Sequence, residues 1–304
     1  MRFALQTSGD LDTLVDAADW AERRGLDCLA IPDHYVLSRS GDGPPAYDAF
    51  VLLGGLAAST ASIELSLLVS PITFRHPAVI AKSALTVDAI SGGRFTLGIG
   101  TGWLEIEHEV FGIPLPPMAE RFERMEEALG YVRAHTRGES FEGRHYRLRA
   151  VAPRPAPTDG FRLVVGGKGS RRTPTLAGRF ADEYNVYPAA PDELRSRIEL
   201  ARQAAEEAGR DPDALLISSS GSVLVGRDEA DYRRRFAETA ASAGLDEEEL
   251  EEHFAFRSTP RGPAPAVREQ LAQMEALGVR RFYLQTSVAD GFEGVTDTLE
   301  MLSG

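Results

Sequence analysis

Two glycine-rich turns carry the clearest chemistry in this chain. Ser91-Gly92-Gly93-Arg94-Phe95-Thr96-Leu97-Gly98-Ile99-Gly100-Thr101-Gly102-Trp103 is the first and Leu163-Val164-Val165-Gly166-Gly167-Lys168-Gly169-Ser170 the second. Each reads as a buried strand that opens into glycine before a helix. Glycine lets backbone N–H groups approach a ligand closely, and a helix start favours an anion. Together the turns point to one large phosphate-bearing cofactor at one end of a parallel sheet, with Lys168 adding charge at the second turn. Asp33-His34 follows another apolar strand. A carboxylate there would position a polar partner and a histidine would exchange a proton near neutrality, although an Asp-His pair also serves simply to cap a loop. Glu105, His108 and Glu109 contain a Glu-x-x-His spacing. Di-iron bundles need two such copies on helices together with further glutamates, so no metal is expected and the three are read as facing solvent.

These residues need a scaffold, and the chain supplies a strand–helix alternation. Strands are expected at Phe3–Thr7, Cys28–Ile31, Ile63–Val69, Arg94–Ile99, Leu163–Val165, Tyr184–Tyr187, Leu216–Val225 and Arg281–Gln285. Helices between them are signalled by Asp10, by the apolar run after Asp48, by Pro77 at a helix start and by Gly92 at its end. Arg75 and His76 would either reach the pocket or lead into the Pro77 helix, and the second reading is preferred. A small hairpin is expected over Phe141–Tyr146, and Pro153-Arg154-Pro155-Ala156-Pro157 reads as an extended insertion rather than a domain linker. Eight strands with helical partners close most naturally as a (β/α)8 TIM barrel, one domain over residues 1–304, with function at the C-terminal strand ends. A doubly wound open sheet is the alternative.

Composition narrows the partners. With 304 residues, 43% of them hydrophobic, the chain can bury a full core. A net charge of −13 argues against nucleic acid. Lys82 and Lys168 are the only lysines, and Cys28 is the only cysteine, read as a small core residue. Met1-Arg2-Phe3 runs straight into a strand pattern and no apolar run reaches the ~18 residues of a membrane span, so a soluble cytoplasmic protein is expected.

Five stretches, in order along the whole chain, match a known pattern: Ile31-Pro32-Asp33-His34, Ser70-Pro71-Ile72-Thr73-Phe74-Arg75-His76-Pro77, the Ser91–Trp103 block, Phe141-Glu142-Gly143-Arg144-His145-Tyr146 and Val165-Gly166-Gly167-Lys168-Gly169. On these the chain resembles the bacterial-luciferase-like superfamily and, within it, the coenzyme F420-dependent oxidoreductases. The resemblance implies a luciferase-like barrel, usually a homodimer, that binds F420 or FMN at its C-terminal mouth. It places Asp33 and His34 by the ring where hydride moves, as catalytic residues. It puts Ser70 and Pro71 against the back of the ring, where relatives carry a bulge and a cis peptide; Ser70–Pro71 is open to either isomer, since cis X–Pro costs only about 0.5–1 kcal/mol. Gly100, Thr101 and Gly102 would bring backbone amides and a hydroxyl to the cofactor. Gly166, Gly167, Lys168 and Gly169 would hold its phosphate. Arg171 and Arg172 would meet an acidic oligoglutamate tail or face water, and Gln6, Asn185, Tyr187 and Gln285 would line the pocket.

The chain departs from its relatives twice. Leu104 stands where many carry Asn, and Trp103 stands where the sugar-phosphate dehydrogenase branch has an acidic residue. The leading expectation is hydride transfer between F420 and a small organic substrate. An FMN-dependent monooxygenase, a cofactor carrier without turnover and a non-redox sugar-phosphate enzyme remain the alternatives.

Overall fold

A computed structural model describes residues 1–37 and 46–303. Eight parallel strands close into a barrel in the order β1-β12-β9-β8-β7-β4-β3-β2. They are β1 (Arg2–Gln6), β2 (Cys28–Ile31), β3 (Glu64–Pro71), β4 (Phe95–Gly100), β7 (Arg162–Gly167), β8 (Glu183–Val186), β9 (Leu216–Gly221) and β12 (Arg281–Gln285). The open-sheet alternative is thereby excluded: β1 pairs with both β2 and β12, with Gln6 opposite Gln285. The remaining strands are two short pairs. Antiparallel β5 (Phe141–Glu142) and β6 (Arg147–Leu148) form the expected hairpin, its strands flanking the Gly143–Tyr146 turn. Parallel β10 (Leu224–Gly226) and β11 (Arg261–Pro263) form the other. The serine-rich strand expected over Leu216–Val225 is therefore two elements. Its first half completes the barrel, and its second leaves the rim to pair elsewhere.

Helices follow the strands: α1 (Leu11–Arg23), α2 (Ala49–Ser59), α3 (Pro77–Ser91), α4 (Glu105–Phe111), α5 (Met118–Arg137), α6 (Arg172–Phe180), α7 (Pro191–Glu207), α8 (Glu229–Ala243), α9 (Glu247–Arg257), α10 (Ala264–Ala276) and α11 (Glu293–Ser303). Local chemistry sets several boundaries. Asp10 accepts from Thr13 N at 2.9 Å to start α1, and Asp48 accepts from Phe50 N and Val51 N to start α2. His76 accepts from Ala78 N ahead of Pro77, and Gly92 closes α3 at φ 68°.

Strand alternation sends Leu5, Leu29, Leu65, Leu97, Leu163 and Phe282 outward into the main core against the helices. The inward faces stack in layers. At the base, Arg281 reaches Glu64 at 2.7 Å, Tyr283 Oη at 3.2 Å, Asp27 at 3.4 Å and Glu183 at 3.5 Å. Above it lie Ala4, Cys28, Ala30, Leu68, Val164 and Tyr283. Cys28 is thus the buried core residue its apolar strand suggested. The polar residues Gln6, Asn185, Ser220 and Gln285 come next, toward the C-terminal mouth. Among the described residues no helix is long and apolar enough to cross a membrane.

Candidate active site

Loop chemistry at the C-terminal ends of β2, β3 and β4 builds the most structured part of the mouth. The turn after β2 carries Asp33, His34 and Tyr35. Asp33 is fully buried; its Oδ2 accepts from Ser70 Oγ at 2.6 Å, and Arg75 donates to both of its oxygens. Arg75 also donates to Asp48 Oδ2 at 2.6 Å, and its guanidinium lies over the rings of Phe50 and Tyr35 at 5.1 and 5.5 Å. Arg75 is therefore part of the site and does more than lead into α3. Burial raises the Asp33 carboxyl above its ordinary value against the pull of Arg75 and Ser70. Burial also works against the charge of Arg75, but Asp33 and Asp48 more than offset it and hold the guanidinium charged. Asp48 is partly buried, yet its bonds to Arg75 and to the start of α2 lower its carboxyl below the ordinary value.

The other side of the turn is held by Glu107, which the sequence did not single out. Its Oε1 accepts from His34 Nδ1 at 2.9 Å, Tyr35 N at 2.8 Å and Val36 N at 3.1 Å, and its side chain is only 1% exposed. Because a carboxylate only accepts, Nδ1 of His34 carries a hydrogen. Nε2 has no hydrogen bond among the described residues, and the imidazole is 23% exposed toward the mouth. Trp103, 55% exposed, sets its ring edge-on to His34 with centroids 6.0 Å apart.

His108 corrects a second expectation. It is buried, donating from Nδ1 to Leu104 O at 2.9 Å and accepting at Nε2 from Thr73 Oγ1 at 2.8 Å. Glu105 and Glu109 do face solvent. Helix α4 is turned by its fit against Thr73 and Phe74, so Glu107 and His108 point inward together. Among the described residues no group of His, Cys, Asp and Glu is arranged to hold a metal ion.

The glycines of the first turn have a packing reason of their own. A Cβ on Gly98 would lie 2.8 Å from Val69 Cγ1, one on Gly100 2.6 Å from Val69 Cγ2, and one on Gly166 3.1 Å from Val69 Cγ1. The side chain of Val69 occupies the space that three missing side chains leave. The expected bulge is present, since the register of β3 on β4 shifts between Leu67 and Ser70. The cis peptide is Leu68–Val69, not Ser70–Pro71. The register shift falls at these two residues, where Gln6 Nε2 donates to Leu68 O at 2.9 Å and Val69 enters the glycine cradle. Gln285 Nε2 extends that link by donating to Gln6 Oε1 at 2.9 Å. Ser70 and Pro71 are both buried behind the mouth. Thr101 and Gly102 are partly exposed on it, with Gly102 at φ 78° and its carbonyl held by Arg121 at 2.6 Å. Asn185 is committed to β9, donating to Ser218 at 3.0 Å and accepting from Ser220 at 2.9 Å.

The second turn leads from β7 into α6. Gly167 sits at φ 150°, Lys168 and Ser170 are exposed, and no side chain caps the first turn of α6 at Arg171. Gly169 leaves room for Thr173. Backbone amides of a glycine-rich turn, a helix N-terminus and an ammonium fit an anionic group. Lys168 Nζ also lies 4.7 Å from the ring centre of Tyr187 and 4.4 Å from that of Phe256, which ties the turn to α9.

A family model described as luciferase-like monooxygenase matches residues 2–301. The chain belongs to that family. This luciferase-like oxidoreductase is 31% identical over 228 residues to an uncharacterized protein of Mycobacterium tuberculosis, covering 69% of this chain and 77% of that one. It is 34% identical over 224 residues to the F420-dependent glucose-6-phosphate dehydrogenase of Nakamurella multipartita, covering 71% of this chain and 65% of the dehydrogenase. Among solved structures, the F420-dependent secondary alcohol dehydrogenase in complex with an F420–acetone adduct superposes with a TM-score of 0.77 at 20% identity, covering 99% of this chain and 98% of that one. The last likeness is one of fold.

Proposed function

We propose that this luciferase-like protein is an F420-dependent oxidoreductase that moves a hydride between the deazaflavin and a small organic substrate. The pairing of His34 with buried Glu107 at the barrel mouth carries this reading. When bound, the cofactor supplies two-electron hydride chemistry, leaving placement and proton handling to the protein. Glu107 fixes the Nδ1–H tautomer, so His34 takes or gives a proton at Nε2 as the substrate oxygen or nitrogen changes charge. Asp33 acts as a positioning residue, since both of its oxygens are engaged by Ser70 and Arg75. The amides of Gly167–Ser170, the start of α6 and Lys168 would hold the phosphate, and Arg171 and Arg172 suit an acidic tail. Thr101 and Gly102 would border the ring, with Ser70, Pro71, Gly100 and Gly166 as the wall behind. The relative from Nakamurella multipartita favours F420 over FMN. Trp103 after Gly102, in place of an acid, favours a substrate other than a sugar phosphate.

Titrating the apo-protein with F420 and with FMN, followed by fluorescence, tests the cofactor. Micromolar F420 binding with none for FMN is expected, and the reverse result would make the protein a flavin-dependent monooxygenase instead. Unsaturated carbonyl compounds, alcohols and imines are then screened with each cofactor. Turnover with none of them would support the carrier reading. On the best substrate His34→Ala should lower kcat at least ~100-fold with cofactor affinity retained. Glu107→Gln exchanges a charge-assisted bond for a neutral one and should lower kcat about tenfold. In the His34→Ala background Glu107→Gln should have no further effect, and additive losses would remove the proposed coupling.

A further inference from the structure

A cavity of about 450 Å³ lies outside the barrel wall, between β12 and the helices α8, α9 and α11. Leu224, Leu250, Phe254 and Val295 form its apolar walls. Protein cores carry few voids larger than a water molecule, whereas ligand pockets run roughly 300–1,000 Å³. The space arises because α8 and α9 pack on each other through their own small core, Phe236, Ala240, Leu250 and Phe254, separate from the main one. It opens to solvent at Ala243 and Gly294, and a Cβ built on Gly294 would meet nothing. Ser222 and Gln285 belong both to this cavity and to a small cleft at the barrel mouth, so the cavity stands beside the mouth rather than in it.

Its polar groups select the ligand. Ser222, Thr239, His253, Gln285, Thr286 and Thr298 are the polar residues that line it, and among the described lining residues there is no Asp, Glu, Lys or Arg. Thr239 donates its hydroxyl hydrogen to Arg235 O at 2.8 Å and Thr298 donates to Gly294 O at 2.9 Å. Both hydroxyls have spent their donors and retain lone pairs. From this we infer a second binding site, for a neutral and mainly apolar small molecule that carries one hydroxyl or N–H donor. His253 is the one lining residue among those described that can carry a charge, so an ionic or phosphorylated molecule would find no carboxylate, lysine or arginine to pair with. The inference does not depend on which redox cofactor the barrel binds.

The probe is 1-naphthol, with 1-methoxynaphthalene as its donor-free partner, titrated into the full chain by calorimetry and fluorescence. 1-Naphthol should bind, about tenfold more tightly than the ether, and saturating F420 or FMN should not displace it. Thr298→Phe, which fills the cavity, should abolish binding while leaving cofactor affinity unchanged. Should that variant fold poorly, the isosteric pair Thr239→Val and Thr298→Val decides. Together these should lower 1-naphthol affinity to that of the ether and leave the ether unaffected. Absence of 1-naphthol binding to the native protein, displacement by the cofactor, or full affinity in the folded variants would each overturn the inference.

Discussion

The substitution Gly100→Ala separates two reasons for a glycine at the end of β4. The added Cβ would stand 2.6 Å from Val69 Cγ2, where ordinary contact begins near 3.4 Å, so Val69 must withdraw by most of an ångström. Overpacking of this kind costs about 1–3 kcal/mol, and in a domain of this size each kcal/mol lowers Tm by roughly 2–4 °C. Val69→Ala alone removes two methyl groups and should cost about 1–2 kcal/mol. In the double variant the new methyl enters the space Val69 has left. Its stability should therefore match that of Val69→Ala alone, a coupling equal to the whole cost of Gly100→Ala, about 1–3 kcal/mol. Gly98→Ala supplies the control: its Cβ would also collide with the Leu67 carbonyl, which Val69→Ala does not move, so no rescue is expected. Urea and thermal melts give the stabilities, and F420 and FMN titrations give the affinities. Strictly additive losses from Gly100→Ala and Val69→Ala would refute the packing argument. A double variant that regains stability but binds the cofactor tenfold more weakly would show that the bare Cα at residue 100 serves the ligand as well.

Two further predictions concern the barrel interior. Arg281→Met leaves Asp27, Glu64 and Glu183 without their shared cation and should cost about 3–5 kcal/mol in urea melts. Burial already raises the Glu183 carboxyl while Arg281 holds it down, so the variant raises it further. A carboxyl raised in the folded state loses its stabilising contribution as pH rises through that value, so the penalty should grow as pH rises above the ordinary carboxylate range. A penalty independent of pH would contradict this network. Cys28 is 1% exposed, and burial pushes its thiol far above the ordinary range. Ellman's reagent should therefore label it only as fast as the native chain unfolds, and rapid labelling would mean that the inner layer of the barrel opens locally.

The barrel was legible because each strand is a short apolar run followed by an amphipathic helix, a signal that depends only on neighbours in the chain. The serine-rich run misled for a physical reason. Ser218 and Ser220 face inward and bond Asn185, so they read as strand, but nothing local marks the point after Gly221 where the chain turns off the rim. Glu107 had a weak signal. Leu104, Glu107, His108 and Phe111 fall at helical spacing on one stripe, and Leu104 is buried with Glu107 and His108. The Glu-x-x-His spacing cuts across that stripe, since Glu105 and Glu109 are exposed. Arg75 stood in the matched Ser70–Pro77 stretch, but its part in the site was not decided there, because its partners Asp33 and Asp48 arrive from segments far away in sequence.

The turn after β2 is fixed from two sides by unlike means, and this bears on the proton-transfer role proposed for His34. On one side a charged triad, Asp33–Arg75–Asp48, joins the turn to the segment between β3 and α3 and to the start of α2. On the other, one carboxylate from α4 takes two backbone hydrogens and the imidazole hydrogen. A proton carrier must keep its ring orientation while its charge changes, or reorganisation adds to the barrier. Glu107 meets this need because two of its three bonds go to main-chain amides, which stay in place whether the imidazole is neutral or charged. The carboxylate therefore remains aimed at Nδ1 through a proton-transfer cycle at Nε2. Arg75 and Ser70 engage both oxygens of Asp33 and so fix the residue that precedes His34 in the chain. The half-exposed Trp103 against the imidazole edge leaves the open side of His34 toward the barrel mouth.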